Sequence, residues 1–188
     1  MAFTLEPVAP IDGSALLPLT IVKDHLRVSS DDEDDLITTF RDAALGWVER
    51  HVGRALTPRA WRWSGDCFGD RIVVPIEPVV SIQALAYRDL AGGVVALPEA
   101  AWFLSGGEIA PIAGTRFPTT LGGRDAILVT FTAGYEPDQV PAPLKTAALL
   151  MAGHLYRNRE AVIVGTIATE APLSVQVLCA PWRTPVIG

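Results

Sequence analysis

The strongest constraint on the fold is a change in the spacing of apolar residues along the chain. Between residues 31 and 52 they recur every three or four positions, which is the period of a helix. From Trp61 to Ser64 the period becomes two, as in a strand with one buried face. Helical spacing returns after Pro141. The pattern predicts an α+β fold: a small helical bundle with an antiparallel β-rich insertion between the long helix and the last helix.

The long helix is predicted from about Asp31 to Val52, after a short helix from Ile21 to Val28 with Thr20 as its N-cap. Gly53 is a natural residue to end it. Its apolar stripe is expected to face the core. The stripe consists of Leu36, Ile37, Phe40, Ala44, Trp47 and Val48.

An acidic cluster, Asp31 to Asp35, occupies the predicted first turn, where carboxylates oppose the positive end of the helix dipole. A cation site is disfavoured there. Consecutive helical positions point around the axis, and the spacing and central glycine of a calcium loop are missing.

The insertion contains short β segments that follow one another without an intervening helix, which favours antiparallel pairing. Ala91–Gly93 and Ser105–Gly107 are typical of hairpin connections. The predicted strands are Arg71–Val74, Val80–Arg88, Val94–Leu97, Trp102–Leu104 and Ala126–Thr132, in addition to the segment at Trp61.

The last helix is predicted to begin at Pro141 and Pro143, since proline suits a first helical turn. In the tail, Leu173–Ala180 is predicted to form one or two helical turns. Trp182 is predicted to dock, either on its own subunit or on a partner. The stripe of the last helix consists of Leu144, Ala147, Ala148, Met151 and Leu155.

These features divide the chain into four parts. Residues 1–19 are expected to form an extended N-terminal arm, and residues 20–58 with 136–160 a helical core. Residues 59–135 are expected to form the β-rich insertion, and residues 161–188 a C-terminal docking tail.

Charge and composition restrict the classes of function that the chain is expected to have. A net charge of −6 argues against sequence-independent binding to duplex phosphates. Apolar residues make up 49% of the chain and its mean hydropathy is +0.31, which suggests surface buried against partner subunits. No apolar run is long enough to span a membrane, and no signal peptide is recognisable. Cys67 and Cys179 are expected to be free thiols, with a disulfide left open.

No catalytic, metal or cofactor motif is present, so an enzyme is not expected. His25, His51 and His154 have no second ligand at metal spacing. The glycine pairs match neither a phosphate loop nor a dinucleotide fingerprint, and neither cysteine lies in a nucleophile motif.

Several segments, taken in order, carry a resemblance to a known family. They are Leu19–Val28 (LTIVKDHLRV), Asp31–Leu56 (DDEDDLITTFRDAALGWVERHVGRAL), Trp61–Trp63 (WRW), Val129–Tyr135 (VTFTAGY), Val140–Val162 (VPAPLKTAALLMAGHLYRNREAV) and the closing LCAPWR. In this order and spacing the chain resembles the head–tail connector (adaptor) proteins of tailed phages and gene transfer agents.

The resemblance implies a structural role in virion assembly. Such proteins form a homo-oligomeric ring, commonly dodecameric, below the portal protein and above a tail or stopper protein. DNA passes through the ring without specific binding. The resemblance also implies synthesis in the bacterial cytoplasm, a place in the particle neck, and a C-terminal tail that anchors on the portal. The residues assigned to that anchor are Val175, Leu178, Trp182 and Arg183.

Two other hypotheses about function remain open. In the first, the chain is a monomeric or dimeric binding module that holds a ligand or partner with its β insertion. In the second, it binds DNA through Arg54, Arg59 and Arg62.

The tail-anchor hypothesis predicts that Trp182→Ala weakens portal attachment by about 2 kcal/mol or more, the loss expected at an interface hot spot. Binding of the variant to purified portal measures the effect. Particles that carry the change and still assemble tails normally contradict the hypothesis.

Overall fold

The computed structural model describes residues 3–159 and 171–184. The chain divides into a β unit (residues 1–10 and 58–134) and a helical unit (residues 11–57 and 135–188). The predicted α+β class is confirmed, with the β-rich insertion between the long helix and the next one. The segment predicted as an arm is shared between the two units. Of the predicted tail, residues 161–170 and 185–188 lie outside the described part, as does Glu160.

The helical unit is built on α2 and α3, which pack against each other, with the shorter helices packed around them. The described helices are α1 (Leu19–Leu26), α2 (Asp34–Val52), α3 (Ala142–Arg157) and α4 (Leu173–Cys179), and α4 runs into a 3₁₀ turn at Ala180–Trp182.

The core of the helical unit joins the stripes of α2 and α3. Ile37, Ala44 and Val48 on α2 are fully buried, as are Leu144 and Ala148 on α3. Each large side chain removed from water in this way contributes about 1.5–3 kcal/mol. The helices are therefore held by burial of their apolar stripes.

The other side chains predicted for helix packing lie at different depths. Phe40 and Met151 are buried, and Phe40 meets Tyr156 edge-on at 6.4 Å between ring centroids. Trp47 and Leu155 are half-buried against the core. Leu36 is half-buried, whereas its neighbour Ile37 is fully buried.

Two helix starts differ from the prediction. Helix α1 begins at Leu19, with Pro18 and not Thr20 at the N-cap position, and Arg27 ends it in the left-handed conformation at φ 60°. Helix α2 begins at Asp34 and not at Asp31, because the Asp34 N–H donates to the Asp31 carbonyl in a preceding turn. Lys23 holds that turn, with Nζ 2.6 Å from Asp31 Oδ1 and 2.7 Å from Asp34 Oδ1.

The N-terminal segment of the helical unit approaches α2 closely at Gly13. A Cβ there would lie 2.2 Å from Leu45 Cδ1, so only glycine fits without movement of the core. The Gly13 N–H donates to Asp42 Oδ1 at 3.0 Å. Leu16 and Leu17, which follow, are buried in the same core.

The β unit contains two antiparallel sheets. A five-stranded sheet has the order β1-β2-β8-β4-β5, and a three-stranded sheet has the order β3-β7-β6. The strands are β1 (Phe3–Pro7), β2 (Arg59–Gly65), β3 (Ile72–Val73), β4 (Val79–Arg88), β5 (Val94–Ala96), β6 (Trp102–Ser105), β7 (Glu108–Pro111) and β8 (Ile127–Ala133).

Strand β8 occupies the centre of the larger sheet and alternates buried and half-buried residues along its length. In β2, Trp61 and Trp63 are buried while Arg62 is exposed, as the period of two predicts. The predicted hairpins at Gly92 and Gly106 connect β4 to β5 and β6 to β7. Strands β1 and β7 were not predicted from the sequence.

We expect Leu144→Ala to lower the free energy of unfolding by about 2–5 kcal/mol, because it leaves a cavity in the fully buried core. Leu173→Ala is the matched control. Leu173 is 74% exposed, and its truncation should change the free energy by about 0.5 kcal/mol or less. Urea unfolding followed by circular dichroism measures both. Equal effects of the two changes would contradict the assigned core.

Candidate assembly site

The described residues contain no arrangement typical of a metal centre or a membrane span. In the ranges 3–159 and 171–184, no three His, Cys, Asp or Glu side chains are placed to hold a metal ion. Over the same residues, no helix has the length and apolar character needed to cross a bilayer. Cys67 is exposed and Cys179 is buried, and both are free thiols.

An open groove of about 880 Å³ lies in the β unit, beside Cys67 and the loop that follows β7. The Phe68 ring stacks on Phe117 at 4.5 Å and meets Tyr87 at 5.9 Å. The rings pack against one another, which is typical of side chains that order an irregular loop.

The residues predicted to dock on the portal lie mostly against their own subunit. Val175 is fully buried in the helical core, and Leu178 and Trp182 are half-buried against it. Arg183 is exposed. In this structure the first three side chains hold α4 in place, and only Arg183 of the four projects into solvent.

Arg54 fastens the chain after α4 to the end of α2. Its Nε donates to the Trp182 carbonyl at 2.9 Å, and its Nη1 donates to the Tyr135 hydroxyl at 3.0 Å. The Thr184 N–H donates to the Val52 carbonyl at 2.9 Å. The C-terminal segment is thereby docked across the last turn of α2.

Gly53 lies where α2 ends and the C-terminal segment docks. It ends α2 in the left-handed conformation at φ 70°, where a residue with a Cβ is strained. A Cβ at this position would also lie 3.4 Å from Thr184 Cβ. That distance is an ordinary contact, so the left-handed conformation is what favours glycine at this position.

Arg183 also acts electrostatically on α2. The His51 ring stacks on Trp47, with ring centroids 4.6 Å apart and planes 13° apart. Burial, together with the nearby positive charge of Arg183, lowers the pKa of His51 below its ordinary value. The neutral imidazole is thus favoured where the tail meets α2.

The outward face of α4 carries no charge and exposes two large apolar side chains, a surface that was not predicted from the sequence. Leu173 and Val177, one helical turn apart, are 74% and 61% exposed. Residues 171–182 contain no Asp, Glu, Lys or Arg. The spacing shows two apolar pairs, and the packing of the helix buries Val175 and Cys179 and leaves Leu173 and Val177 outside. An apolar pair on an uncharged face is typical of a protein contact surface.

The three arginines considered for DNA binding are engaged within the chain. Arg54 holds the C-terminal segment, the Arg59 guanidinium lies over the Trp61 ring at 4.4 Å, and Arg62 contacts Glu6 at 3.3 Å. Arg54 belongs to the helical unit and the other two to the β unit. Each of the three is thus held by a contact within its own unit.

Solved structures similar to this chain come from gene transfer agent (GTA) particles. A chain in the neck of an empty GTA particle, computed with C6 symmetry, is 28% identical with a TM-score of 0.76. A chain in the virion of a native GTA particle is 28% identical with a TM-score of 0.75. A chain in the neck of a native GTA particle, computed with C12 symmetry, is 26% identical with a TM-score of 0.73. Each match covers 97% of this chain and 96% of the other.

No protein-family model matches the chain, and no curated protein is significantly similar to it. The matches to GTA neck structures confirm the resemblance to the head–tail connector family that the sequence segments predicted.

We predict that Arg183→Gln raises the pKa of His51 towards its ordinary value without restoring it, since burial remains. Because the folded-state pKa lies below the unfolded one, protonation favours the unfolded chain. The stability contribution of His51 is therefore intact above the ordinary pKa and is lost as pH falls through the folded-state value. NMR titration of the imidazole measures the shift, with Arg157→Gln as the control. If the pKa of His51 is unchanged in Arg183→Gln, the charge of Arg183 does not act on His51 as described.

Proposed function

We propose that this chain is a structural neck protein: a head–tail connector (adaptor) subunit that forms a ring below the portal, extends the DNA channel and provides the platform for tail attachment. The observation that carries the proposal is the likeness to neck chains of GTA particles, which extends over 97% of the chain at 28% identity. It involves both units, because neither unit alone accounts for that share of the chain.

The surface of the chain supports assembly with copies of itself. In a ring with cyclic symmetry each subunit presents two different surfaces, one to each neighbour. Both units carry exposed apolar side chains. In the helical unit these include Ile21, Leu173 and Val177, and in the β unit Phe3, Val73, Leu90, Val94 and Phe103. A ring can bury side chains of this kind between neighbouring subunits.

The portal contact is proposed for the C-terminal segment. Leu173 and Val177 form its outward apolar face, and Arg183 adds an exposed charge at its end. Val175, Leu178 and Trp182 serve that contact by fixing α4 on the helical core. A helix fixed in this way loses less conformational freedom on docking than a free tail would.

DNA is proposed to pass the ring without specific binding. The chain has 15 basic and 21 acidic residues, and the arginines considered for DNA binding have partners within the chain. A surface with excess negative charge repels phosphates and does not release counterions on contact with duplex.

The experiment mixes the purified chain with purified portal and images the product by electron microscopy. We expect the chain to form a ring on one end of the portal. Val177→Asp should abolish attachment, because it places a charge at the centre of the proposed contact. Thr146→Asp, on the exposed side of α3, is the matched control and should attach normally.

Two results would contradict the proposal. A wild-type chain that forms no ring with portal present favours the monomeric or dimeric binding module. Duplex binding that weakens with salt would instead indicate a DNA-binding protein.

A further inference from the structure

The five-stranded sheet ends in two unlike edges. Strand β1 forms one edge and strand β5 the other, and within the described residues neither has a partner on its outer side. An edge strand presents unpaired N–H and C=O groups to which another strand can add.

The β5 edge has little of the protection that edge strands normally carry. Residues 90–98 contain no charged side chain. Leu90 is 68% exposed, Val94 is 56% exposed and Val95 is 37% exposed. Soluble proteins commonly place lysine, proline or a bulge on such an edge. Here only the shortness of β5 and Pro98 just after it limit strand addition.

The β1 edge is also apolar. Phe3 is 58% exposed, and Val8, directly after the strand, is 53% exposed. The one charged residue of β1, Glu6, is paired with Arg62 of the neighbouring strand. The β1 edge and the β5 edge therefore match in chemistry, since each offers aliphatic or aromatic side chains without an uncompensated charge.

The hydrogen-bond pattern shows which backbone groups point outward. On the β1 side, the Val8 N–H donates to Ala60, so Glu6 and Thr4 also bond inward. Phe3, Leu5 and Pro7 point outward, and of these Pro7 has no N–H to offer. On the β5 side, the Leu97 N–H donates to Leu85, so Val95 bonds inward while Val94 and Ala96 point outward. Each edge thus offers the backbone groups of two alternate residues.

We infer that strand β5 of one copy adds to strand β1 of the next copy, so that the five-stranded sheets join around the ring. This inference rests on the ring assembly proposed above. The occupant is a second copy because cyclic assembly joins unlike surfaces, and β1 and β5 are the two unlike edges of one sheet. Pairing of two β5 edges would use up that edge in a closed dimer and could not propagate.

The test uses cysteine pairs in a Cys67→Ser background, with the buried Cys179 retained. Thr4 and Val94 lie on the same face of the sheet, because Thr4 is opposite Ser64 and Val94 is opposite Arg88. Rings assembled on portal from Thr4→Cys/Val94→Cys and from Thr4→Cys/Ala96→Cys are oxidised and run on a non-reducing gel. Strands β1 and β5 run in the same direction, since four antiparallel pairings separate them. The two doubles cover two registers of a parallel pairing, in which Thr4 lies opposite Val94 or Ala96.

We expect at least one double variant to give a ladder of cross-linked oligomers above the dimer, and each single variant to remain monomeric. Thr4→Cys/Leu121→Cys is the matched control, since Leu121 is a similarly exposed apolar residue of the same unit at 54%. This control should give no ladder. Val94→Lys should prevent ring formation, whereas Leu121→Lys should not.

The outcomes separate this inference from the proposed function. Rings that form normally but give no ladder, together with normal rings from Val94→Lys, overturn the edge pairing and leave the neck assignment standing. Cross-linked dimers of the Val94→Cys single variant would show that two β5 edges pair with each other, and would overturn the inferred pairing of β5 with β1. Failure of the wild-type chain to form a ring on portal overturns the neck assignment, and the edge pairing with it.

Discussion

The last turn of α2 is the point on which the rest of the helical unit depends. Glu49, buried at 4% exposure, accepts the Leu56 N–H at 2.8 Å, and its backbone carbonyl accepts the N–H of Gly53 at 2.9 Å. Glu49 therefore bonds both to the residue that ends the helix and to the chain that follows it. Loss of that carboxylate would leave a buried N–H unsatisfied, which costs about 1–3 kcal/mol.

Two later segments of the chain also contact the residues that follow α2. The Tyr135 N–H donates to the Ala55 carbonyl at 3.3 Å, where the chain returns from the insertion. Arg54 then ties the Tyr135 hydroxyl to the Trp182 carbonyl, where the chain arrives from α4. Because the insertion leaves and re-enters the helical unit at adjacent residues, its length has little effect on how α2 and α3 pack. A β unit of this size is thus compatible with a small helical bundle.

Hydrophobic spacing predicted the elements that bury one continuous face. Helix α3 was predicted from Leu144, Met151 and Leu155, and the core of α2 from Phe40 and Val48, because burial of a stripe determines both. Strand β1 was missed because Pro7 and Pro10 obscured the strand period in a short segment. Its pairing with β2 is a contact between residues nearly 60 positions apart, which local spacing does not encode.

Hydrophobic spacing could not predict which face of α4 is buried. In a helix of 7 residues, the pair Val175 and Cys179 and the pair Leu173 and Val177 are both apolar and both have helical spacing. Nothing in the sequence ranks one pair above the other as the buried face. The choice is made by the fit of Val175 against the core and by the Arg54 bond to Trp182, both of which are tertiary.

The candidate contact surfaces share one property: the α4 face and the β5 edge are both uncharged. Electrostatic attraction between exposed groups is screened over about 8 Å at physiological salt, and apolar contact is not. Sulfate and phosphate strengthen apolar burial, because they are excluded from protein surfaces. Assembly through these surfaces should therefore persist in salt that dissociates protein from DNA. Among the described residues, charged groups such as Glu33 with Arg159 and Lys23 with Asp31 pair with each other, away from the α4 face and the β5 edge in sequence.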